Sequence, residues 1–497
     1  MLATRIRAHS WLLATLALAA AFWALDLAAL RAGVPDPLDD TWEYGVVARS
    51  LIEGHGFRTQ VIHPPLWSLR DGANTVPVLI HGPLLPLLLA PRVRLYGPRA
   101  LDWMPVLAAE FVLLAAFLTY RIGARAFGPP AGAAAAMLWT LSPLTLRAVH
   151  HDVVLAVGAA LLMLALDLLL QPRPSATLAG AALGLAYLAR PELLVASPVL
   201  AALAGRAWWR TALAFVACAW PWWLHNLGAA GSPFFNLSSY LAIGYWDGRP
   251  DLTVLRDFAL APAAWPHALA AALPSLPAKW LGLFPHAVKR ALLVPTGATG
   301  WLAVVGLAAA LHARETRRAA IAVFVIGLIP VAVMTTTVYD WRYLTPFLPI
   351  WAIAAALGAR MLFDALPRSL PDWTRAPAIW LSALALLVLP AVVTAVREGE
   401  REARTLERRL AFERESIAEL GAGVAARREI LFSDRPDFAA WTVDRSVVWV
   451  TREEFGWLPA VGEPNPHGLP ERGAATATWF HVEKQDSVRG DSASGRR

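Results

Sequence analysis

Long apolar segments separated by short polar stretches recur through the first 396 residues of the chain. A helix needs about 20 predominantly apolar residues to cross the hydrocarbon core of a membrane. The pattern predicts that residues 1–396 form one transmembrane domain, an all-α polytopic bundle of about eleven spans. The expected spans are residues 11–30, 104–120, 130–147, 153–170, 176–189, 191–205, 208–226, 297–312, 319–338, 343–361 and 376–395.

The placement of arginine predicts how the bundle is oriented. Arg5 and Arg7 precede the first span, and Arg121 and Arg125 follow the second. Because arginine is enriched in cytoplasmic loops, the N-terminus is expected in the cytoplasm and the C-terminus outside. This orientation creates two long external loops, residues 31–103 and 227–296.

The polar and apolar pattern changes after the last span. Glu and Arg alternate through residues 397–428 and predict a charged connecting helix. The strings EILFSD, SVVWVT and ATWFHVE predict strands of a small external α/β domain at residues 429–484, and the tail at 485–497 has the composition of a disordered segment. Residues 76–95 are apolar but rich in proline, which favours a helix lying in the outer membrane interface.

Composition supports the membrane assignment and excludes several function classes. Hydrophobic residues make up 57% of the chain and charged residues only 16%, against about 25% charged residues in an average soluble domain. The net charge of +7 comes from arginines at the ends of apolar segments, so nucleic-acid binding is not expected. Cys218 is the single cysteine, so no intramolecular disulfide can form. The sequence contains no P-loop, GxGxxG or HExxH motif that would indicate nucleotide-driven or metalloprotease chemistry.

The first external loop carries adjacent carboxylates in the string LDDTWEYGVVARSLIEGHGF. Asp39 and Asp40 stand where an amphipathic helix is expected to begin, near Thr41. A carboxylate in reach of an acceptor hydroxyl can take its proton as a general base. Aspartate is also a preferred N-cap residue, so catalysis and helix capping both remain open for this pair.

Further polar residues fall on the same predicted side of the membrane. Ionisable groups at membrane depth are costly and therefore suggest function. Arginines near a span end can also extend to the interface as simple anchors, and a lone histidine can be a boundary residue. Histidine and carboxylate together could bind a divalent metal, but no close ligand spacing such as HxxxH occurs, and metal binding stays open. The candidates are His81, His151, Asp152, Arg190, His225, Asn226, Arg342 and Tyr343.

Several strings, in order along the chain, resemble one family. LDDTWEYGVVARSLIEGHGF is similar to the first external loop of GT-C superfamily glycosyltransferases, in the branch of dolichyl-phosphate-mannose protein mannosyltransferases and the lipid A aminoarabinose transferase. HGPLLPLLLAP, LGLAYLARPELLVASPVLAAL, AWPWWLHNLGAAGSPFF and RYLTPFLPIWAIAAA resemble later segments of the same family. The resemblance extends from residue 11 to about residue 361.

This resemblance implies that the protein transfers a sugar from a polyprenyl phosphate carrier, with inversion at the anomeric carbon. The acceptor would be a lipid, protein or polysaccharide at the external face of a bacterial inner membrane, and no soluble cofactor would be needed. Asp39 matches the catalytic base of the family, with Asp40 beside it, and Asp152 matches an acidic residue that orients the acceptor or donor. The residues implied to bind substrate are Arg342, Tyr343, His81, His151, His225, Asn226 and Arg190.

Two other functions remain compatible with the sequence. A transporter or flippase of a lipid-linked sugar would favour paired repeats and helices broken at the bilayer midplane, whereas the polar residues here fall at the predicted outer rim. A non-catalytic component of cell-envelope assembly would use Asp39 and Asp40 only as helix caps.

Overall fold

The computed structural model describes most of the membrane domain and part of the C-terminal segment. Asp39, most of the predicted connecting helix at 397–428 and the tail at 485–497 lie outside the described residues. The described residues are 2–30, 40–241, 253–293, 299–312, 317–336, 341–367, 369, 371, 376–397, 430–433, 436–449 and 477–480.

The described part of the chain is mainly α-helical. Helices in the first half are α1 (Leu2–Leu30), α2 (Thr41–Ile52), α3 (Leu84–Tyr96), α4 (Met104–Phe127), α5 (Pro129–Thr140), α6 (Pro143–His151), α7 (Val153–Leu169), α8 (Ala176–Ala189), α9 (Ala196–Leu203) and α10 (Trp208–Ala230). Those in the second half are α11 (Trp265–Ala272), α12 (Leu276–Leu293), α13 (Thr299–His312), α14 (Arg317–Thr336), α15 (Leu348–Asp364), α16 (Pro377–Arg397) and α17 (Pro436–Val443).

Four of the described helical segments are long and apolar enough to cross a membrane. They are Ser10–Ala28, Leu84–Phe127, Arg342–Asp364 and Pro377–Arg397. Shorter apolar helices also coincide with predicted spans, among them α7, α8 and α13. A helix is present in each predicted span region, while the number of membrane crossings and their direction stay predictions.

Helix boundaries differ from the predicted ones where proline and glycine intervene. The segment predicted as one span at residues 130–147 is divided into α5 and α6. Ser142 lies between them in an extended conformation, and its hydroxyl accepts a hydrogen bond from the Leu144 amide. Pro143 then begins α6, because proline suits the first turn of a helix and disfavours a helical residue before it.

A small sheet joins the C-terminal segment to the first loop. The strands are β1 (Arg58–Thr59), β2 (Val61–Ile62), β3 (Val76–Pro77), β4 (Ile430–Ser433), β5 (Val447–Trp449) and β6 (Ala477–Phe480). One sheet has the order β2-β5-β4-β6 with parallel neighbours, and β1 pairs with β3 antiparallel. The three predicted C-terminal strings therefore contain strands, but their sheet also includes β2 from the first loop.

Helix α2 packs on the C-terminal helix α17 and fixes its position. The rings of Trp42 and Phe438 lie 4.9 Å apart in an edge-to-face arrangement. Arg49 donates hydrogen bonds to the carbonyl oxygens of Ala440 and Trp441, and its guanidinium lies 3.0 Å from the carboxylate of Asp444. The first loop and the C-terminal segment therefore share one packed interface.

Small residues allow close contact between helices inside the bundle. A Cβ atom added at Gly180 in α8 would lie 2.2 Å from the carbonyl oxygen of Thr211 in α10. One turn further, a Cβ atom at Gly184 would lie 2.5 Å from Cβ of Cys218. Because membrane helices associate chiefly by packing, this pair of glycines four residues apart permits the approach of α8 and α10.

We expect Gly180→Ala to destabilise the protein because its methyl group has no space against the α10 backbone. Overpacking of this kind typically costs about 1–3 kcal/mol. Gly228→Ala is the matched control: Gly228 lies in α10, and a Cβ atom there meets nothing within 4 Å. Thermal unfolding in detergent should show a lower melting temperature for Gly180→Ala only. Equal melting temperatures for the two variants would contradict the close approach.

Candidate active site

A polar cavity of about 500 Å³ lies where the first loop, the end of α8 and the C-terminal sheet meet. The 3-10 helix Trp341–Phe347 contributes a further part of its wall. The ionisable residues that line the cavity are Asp40, Glu43, Tyr44, His63, His81, Arg190, Glu192, Arg342, Tyr343 and Asp437.

Arg342 brings together two carboxylates from distant parts of the chain. Its Nη1 atom lies 3.8 Å from Oδ2 of Asp40 and 3.6 Å from Oδ2 of Asp152. Asp40 precedes α2, Asp152 separates α6 from α7, and Arg342 is the second residue of the 3-10 helix. Residues from three separate elements thus bring the Arg342 guanidinium next to the carboxylates of Asp40 and Asp152.

Asp40 does not act as a side-chain cap of α2. Its carboxylate makes no hydrogen bond to the first-turn amides. The backbone at Asp40 is helical, with φ −53° and ψ −14°, whereas N-cap residues are usually extended. The carboxylate is instead directed to Arg342, so the structure favours an electrostatic role for Asp40.

Asp152 is a buried carboxylate, 8% exposed, next to two arginines. Burial raises the pKa of Asp152, although the charges of Arg190 and Arg342 oppose this shift. A raised pKa makes the ionised carboxylate a stronger proton acceptor. Asp152 can therefore orient Arg342 and can also accept a proton.

Arg190 lies at the turn after α8 and is paired more tightly than Arg342. Its Nη2 and Nε atoms lie 2.5 and 2.6 Å from Oε1 of Glu192. The guanidinium of Arg190 is 5.4 Å from the ring centre of Tyr343, and that of Arg342 is 5.9 Å from the same ring. Tyr343 thus lies next to both cations.

A buried carboxylate and two histidines form the middle of the cavity. Oε2 of Glu43 lies 3.0 Å from Nε2 of His81 and 3.5 Å from Nε2 of His63, and Nδ1 of His81 lies 3.2 Å from the Tyr44 hydroxyl. Burial would raise the pKa of Glu43, but the charge of His81 and the nearby ring nitrogens of both histidines lower it. Burial would lower the pKa of His81, but the Glu43 carboxylate raises it. Glu43 and His81 thus each favour the charged form of the other.

The close approach of the first loop to α8 depends on glycine. A Cβ atom at Gly82 would lie 2.0 Å from the carbonyl oxygen of Leu188. The HGP segment can therefore lie directly on the end of α8, which places His81 in the same cavity as Arg190.

The C-terminal segment contributes a further part of the wall. Trp449, Pro436 and Asp437 line the cavity. The rings of Trp449 and His63 lie 5.5 Å apart, edge to face. His63 therefore links the C-terminal sheet to the Glu43 carboxylate.

The structure brings most, though not all, of the sequence-predicted residues to this cavity. Asp40, His81, Arg190, Arg342 and Tyr343 line it, and Asp152 contacts Arg342. The catalytic candidate Asp39 lies outside the described residues.

Three predicted substrate-binding residues do not line the cavity. His151 ends α6 and is half-buried. Nε2 of His225 lies 3.0 Å from the Val78 carbonyl oxygen, and its ring stacks on Trp222 at 4.7 Å. Asn226 donates hydrogen bonds to the carbonyl oxygens of Pro233 and Phe235, so its contacts in the structure hold the turn after α10.

Sequence reasoning missed Glu43, Glu192 and Trp449 as lining residues. Glu43 is one helical turn after Asp40 on α2, so helical spacing could have placed both carboxylates on one face. Glu192 is two residues from Arg190, so the sequence itself indicated that these two opposite charges could pair. Trp449 had no such signal, because β5 reaches the cavity through pairing with a remote strand.

In the described part of the chain, no group of three or more histidine, cysteine, aspartate or glutamate side chains has an arrangement suited to a metal ion. Metal binding therefore stays open, as it was from the sequence alone.

Solved structures of other proteins resemble this one, whereas no protein-family profile and no curated protein sequence matches the chain. Archaeoglobus fulgidus oligosaccharyltransferase tethered to an acceptor peptide containing the NVT sequon matches with a TM-score of 0.57 and 14% identity, over 91% of this chain and 65% of that protein. The same enzyme in complex with Zn and sulfate matches with a TM-score of 0.56 and 15% identity, over 88% of this chain and 62% of that protein.

A second solved enzyme has a similar fold. ArnT from Cupriavidus metallidurans bound to undecaprenyl phosphate matches with a TM-score of 0.50 and 15% identity, over 89% of this chain and 86% of ArnT. The present chain thus spans less than two thirds of the oligosaccharyltransferase but most of ArnT. Both enzymes are GT-C superfamily glycosyltransferases. The protein therefore shares the fold of these two enzymes, in agreement with the fold that its sequence resemblance implied.

Proposed function

We propose that the protein is an inverting glycosyltransferase that moves a sugar from a polyprenyl phosphate carrier to an acceptor hydroxyl at the external face of the membrane. The observation that carries this proposal is that Arg342, which lines the cavity together with Asp40, lies 3.8 Å from the Asp40 carboxylate and 3.6 Å from the Asp152 carboxylate. Carboxylates can accept the hydroxyl proton, and the arginine can bind the phosphate.

The proposed reaction is a single displacement. The acceptor oxygen attacks the anomeric carbon while the bond from that carbon to the phosphate oxygen breaks. The hydroxyl proton passes to an aspartate of the first loop, Asp39 or Asp40, and the carrier leaves as polyprenyl phosphate. Attack on the face opposite the leaving group inverts the anomeric configuration. No external oxidant, reductant or nucleotide is required.

Positive charge near the departing phosphate would stabilise the transition state. Arg342, Arg190 and His81 line the same cavity, the Glu43 carboxylate favours the protonated form of His81, and charge-assisted hydrogen bonds to phosphate are stronger than neutral ones. Because Arg190 already forms short contacts with Glu192, Arg342 is the better candidate for direct phosphate contact.

The two alternatives receive less support. A non-catalytic role required Asp39 and Asp40 to serve as caps, and the Asp40 side chain makes no cap hydrogen bond. A flippase would need polar groups along a path through the bundle, whereas the charged cluster described here is gathered where helices meet the first loop and the C-terminal sheet.

We expect Asp39→Asn to abolish transfer, with a loss of roughly 10²- to 10⁴-fold for a missing general base. Asp40→Asn should have a milder effect, because only Asp39 matches the family's base. Complementation of a deletion strain, followed by mass spectrometry of its envelope glycans, provides the measurement. Near-normal glycans with Asp39→Asn would instead assign the base to Asp40 or Asp152.

We expect Arg342→Ala to weaken binding of undecaprenyl phosphate by roughly 10- to 150-fold, since a hydrogen bond to a charged group contributes about 1.5–3 kcal/mol. Binding to purified protein in nanodiscs can be followed by native mass spectrometry. Arg92→Ala is the control, because Arg92 pairs with Glu110 at 3.5 Å and does not line the cavity. Unchanged affinity in a folded Arg342→Ala variant would reduce Arg342 to a structural ion-pair residue.

We expect transferase activity to fall as the pH rises through the raised pKa of His81, because the neutral imidazole no longer attracts phosphate. Glu43→Gln removes the charge that raises this pKa above its usual value of 6.5. Since burial then dominates and lowers the pKa, the alkaline decline in activity should move to lower pH.

The matched control for this pH shift is Glu53→Gln. Glu53 pairs with His55 at 3.6 Å, but both side chains are exposed and outside the cavity. In Glu53→Gln, activity should decline at the same alkaline pH as in the native protein. An unchanged alkaline decline in Glu43→Gln would show that His81 protonation does not control the reaction.

A further inference from the structure

The C-terminal sheet places one aromatic side chain in the polar cavity. Trp449 is the last residue of β5, and its side chain is half-buried, whereas Val447 and Val448 before it are fully buried. Strand β5 lies between β2 and β4, and Trp449 pairs with Ser433 of β4. Val447 and Val448 are paired on both sides and Trp449 is paired with β4, so the strand holds the indole on a rigid support in the cavity wall.

Two neighbouring side chains also fix the Trp449 ring. The His63 ring meets it edge to face at 5.5 Å, and the Arg256 guanidinium lies 5.3 Å from its centre. Because His63 also contacts Glu43, Trp449 is connected to α2, the helix that follows Asp40. The aromatic wall and the charged groups therefore belong to one continuous cavity.

The cavity that Trp449 lines combines apolar and polar groups. Asp437, Asn236 and Ser238 line the same cavity. A pyranose ring has a face of C–H groups and an edge of hydroxyl groups. The C–H face packs on an aromatic ring, and the hydroxyls require carboxylate, amide or hydroxyl partners. A serine or threonine of an extended peptide offers no such flat face.

We propose that Trp449 is the platform for a sugar ring of the acceptor, so that the acceptor is a glycan or the head group of a glycolipid. This inference rests on the proposed transferase function and names its acceptor class. The charged groups of the first loop and of the Trp341–Phe347 helix then serve the donor and the reaction. Trp449 acts in acceptor binding and specificity.

Saturation-transfer NMR on the full chain in nanodiscs tests this assignment. The carbohydrate probes are the methyl α- and β-glycosides of glucose, galactose, mannose and N-acetylglucosamine. The peptide probes are acetyl-Gly-Ser-Gly-amide and acetyl-Gly-Thr-Gly-amide. We expect at least one glycoside to bind and Trp449→Ala to weaken its binding by about 3- to 10-fold, as for loss of an aromatic contact.

Two further variants separate recognition from folding. Trp449→Phe keeps an aromatic face and should hold the affinity within about twofold of the native protein. Trp301→Ala removes an exposed tryptophan of α13 that does not line the cavity, and it should leave glycoside binding unchanged. If Trp449→Ala lowers the melting temperature, the contrast between Trp449→Phe and a Trp449→Leu variant of similar stability decides the question.

Several results would overturn the proposal: no glycoside binds the native protein, Trp449→Leu binds as tightly as Trp449→Phe, or the peptides bind in a Trp449-dependent manner. Binding of undecaprenyl phosphate is measured in the same samples. If that lipid fails to bind while glycosides bind through Trp449, the donor assignment fails and the sugar subsite stands. If the lipid binds and the glycosides do not, the sugar subsite fails alone.

Discussion

Charge compensation around Arg342 is the constraint on which the rest of the site depends. A guanidinium that is about one third exposed, beside a carboxylate that is nearly buried, requires opposite charge close by. Asp40, which precedes α2, and Asp152, which lies between α6 and α7, supply that charge. Helices α2, α6 and α7 must therefore meet at the 3-10 helix, and their meeting defines the cavity.

The two arginines of the cavity differ in how firmly they are neutralised. Arg190 is buried and lies 2.5 Å from Glu192, so exchanging that partner would expose a charge to a low-dielectric environment. The contacts of Arg342 with Asp40 and Asp152 exceed hydrogen-bond distance. Asp40 and Asp152 therefore hold Arg342 less closely than Glu192 holds Arg190. The close pair of Arg190 and Glu192 organises the turn after α8.

The sequence predicted the helices well because their signal is local. Apolar length and terminal arginines mark each segment, and the departures occur at residues such as Pro143, whose effect spans one or two positions. Asp40, Asp152 and Arg342 were identified as candidates, but their contact joins residues far apart in the chain. The pairing of β2 with β5 is likewise nonlocal. The sequence of the short strand Val61–Ile62 contains no pattern that predicts its pairing with a C-terminal strand.

The shared sheet explains why the cavity has walls of different character. In the proposed function, the cations of the membrane domain have to lie near the bilayer, where a lipid-linked phosphate would enter. The C-terminal segment is free of that requirement and contributes an aromatic ring with polar neighbours. Since β2 and α2 both belong to the first loop, and both contact the C-terminal segment, one loop fixes the distance between the two walls. A change in the β2 to β5 register would move Trp449 relative to Asp40 without altering any charged residue. Substrate selection and phosphate chemistry can thus vary separately on the same transmembrane framework.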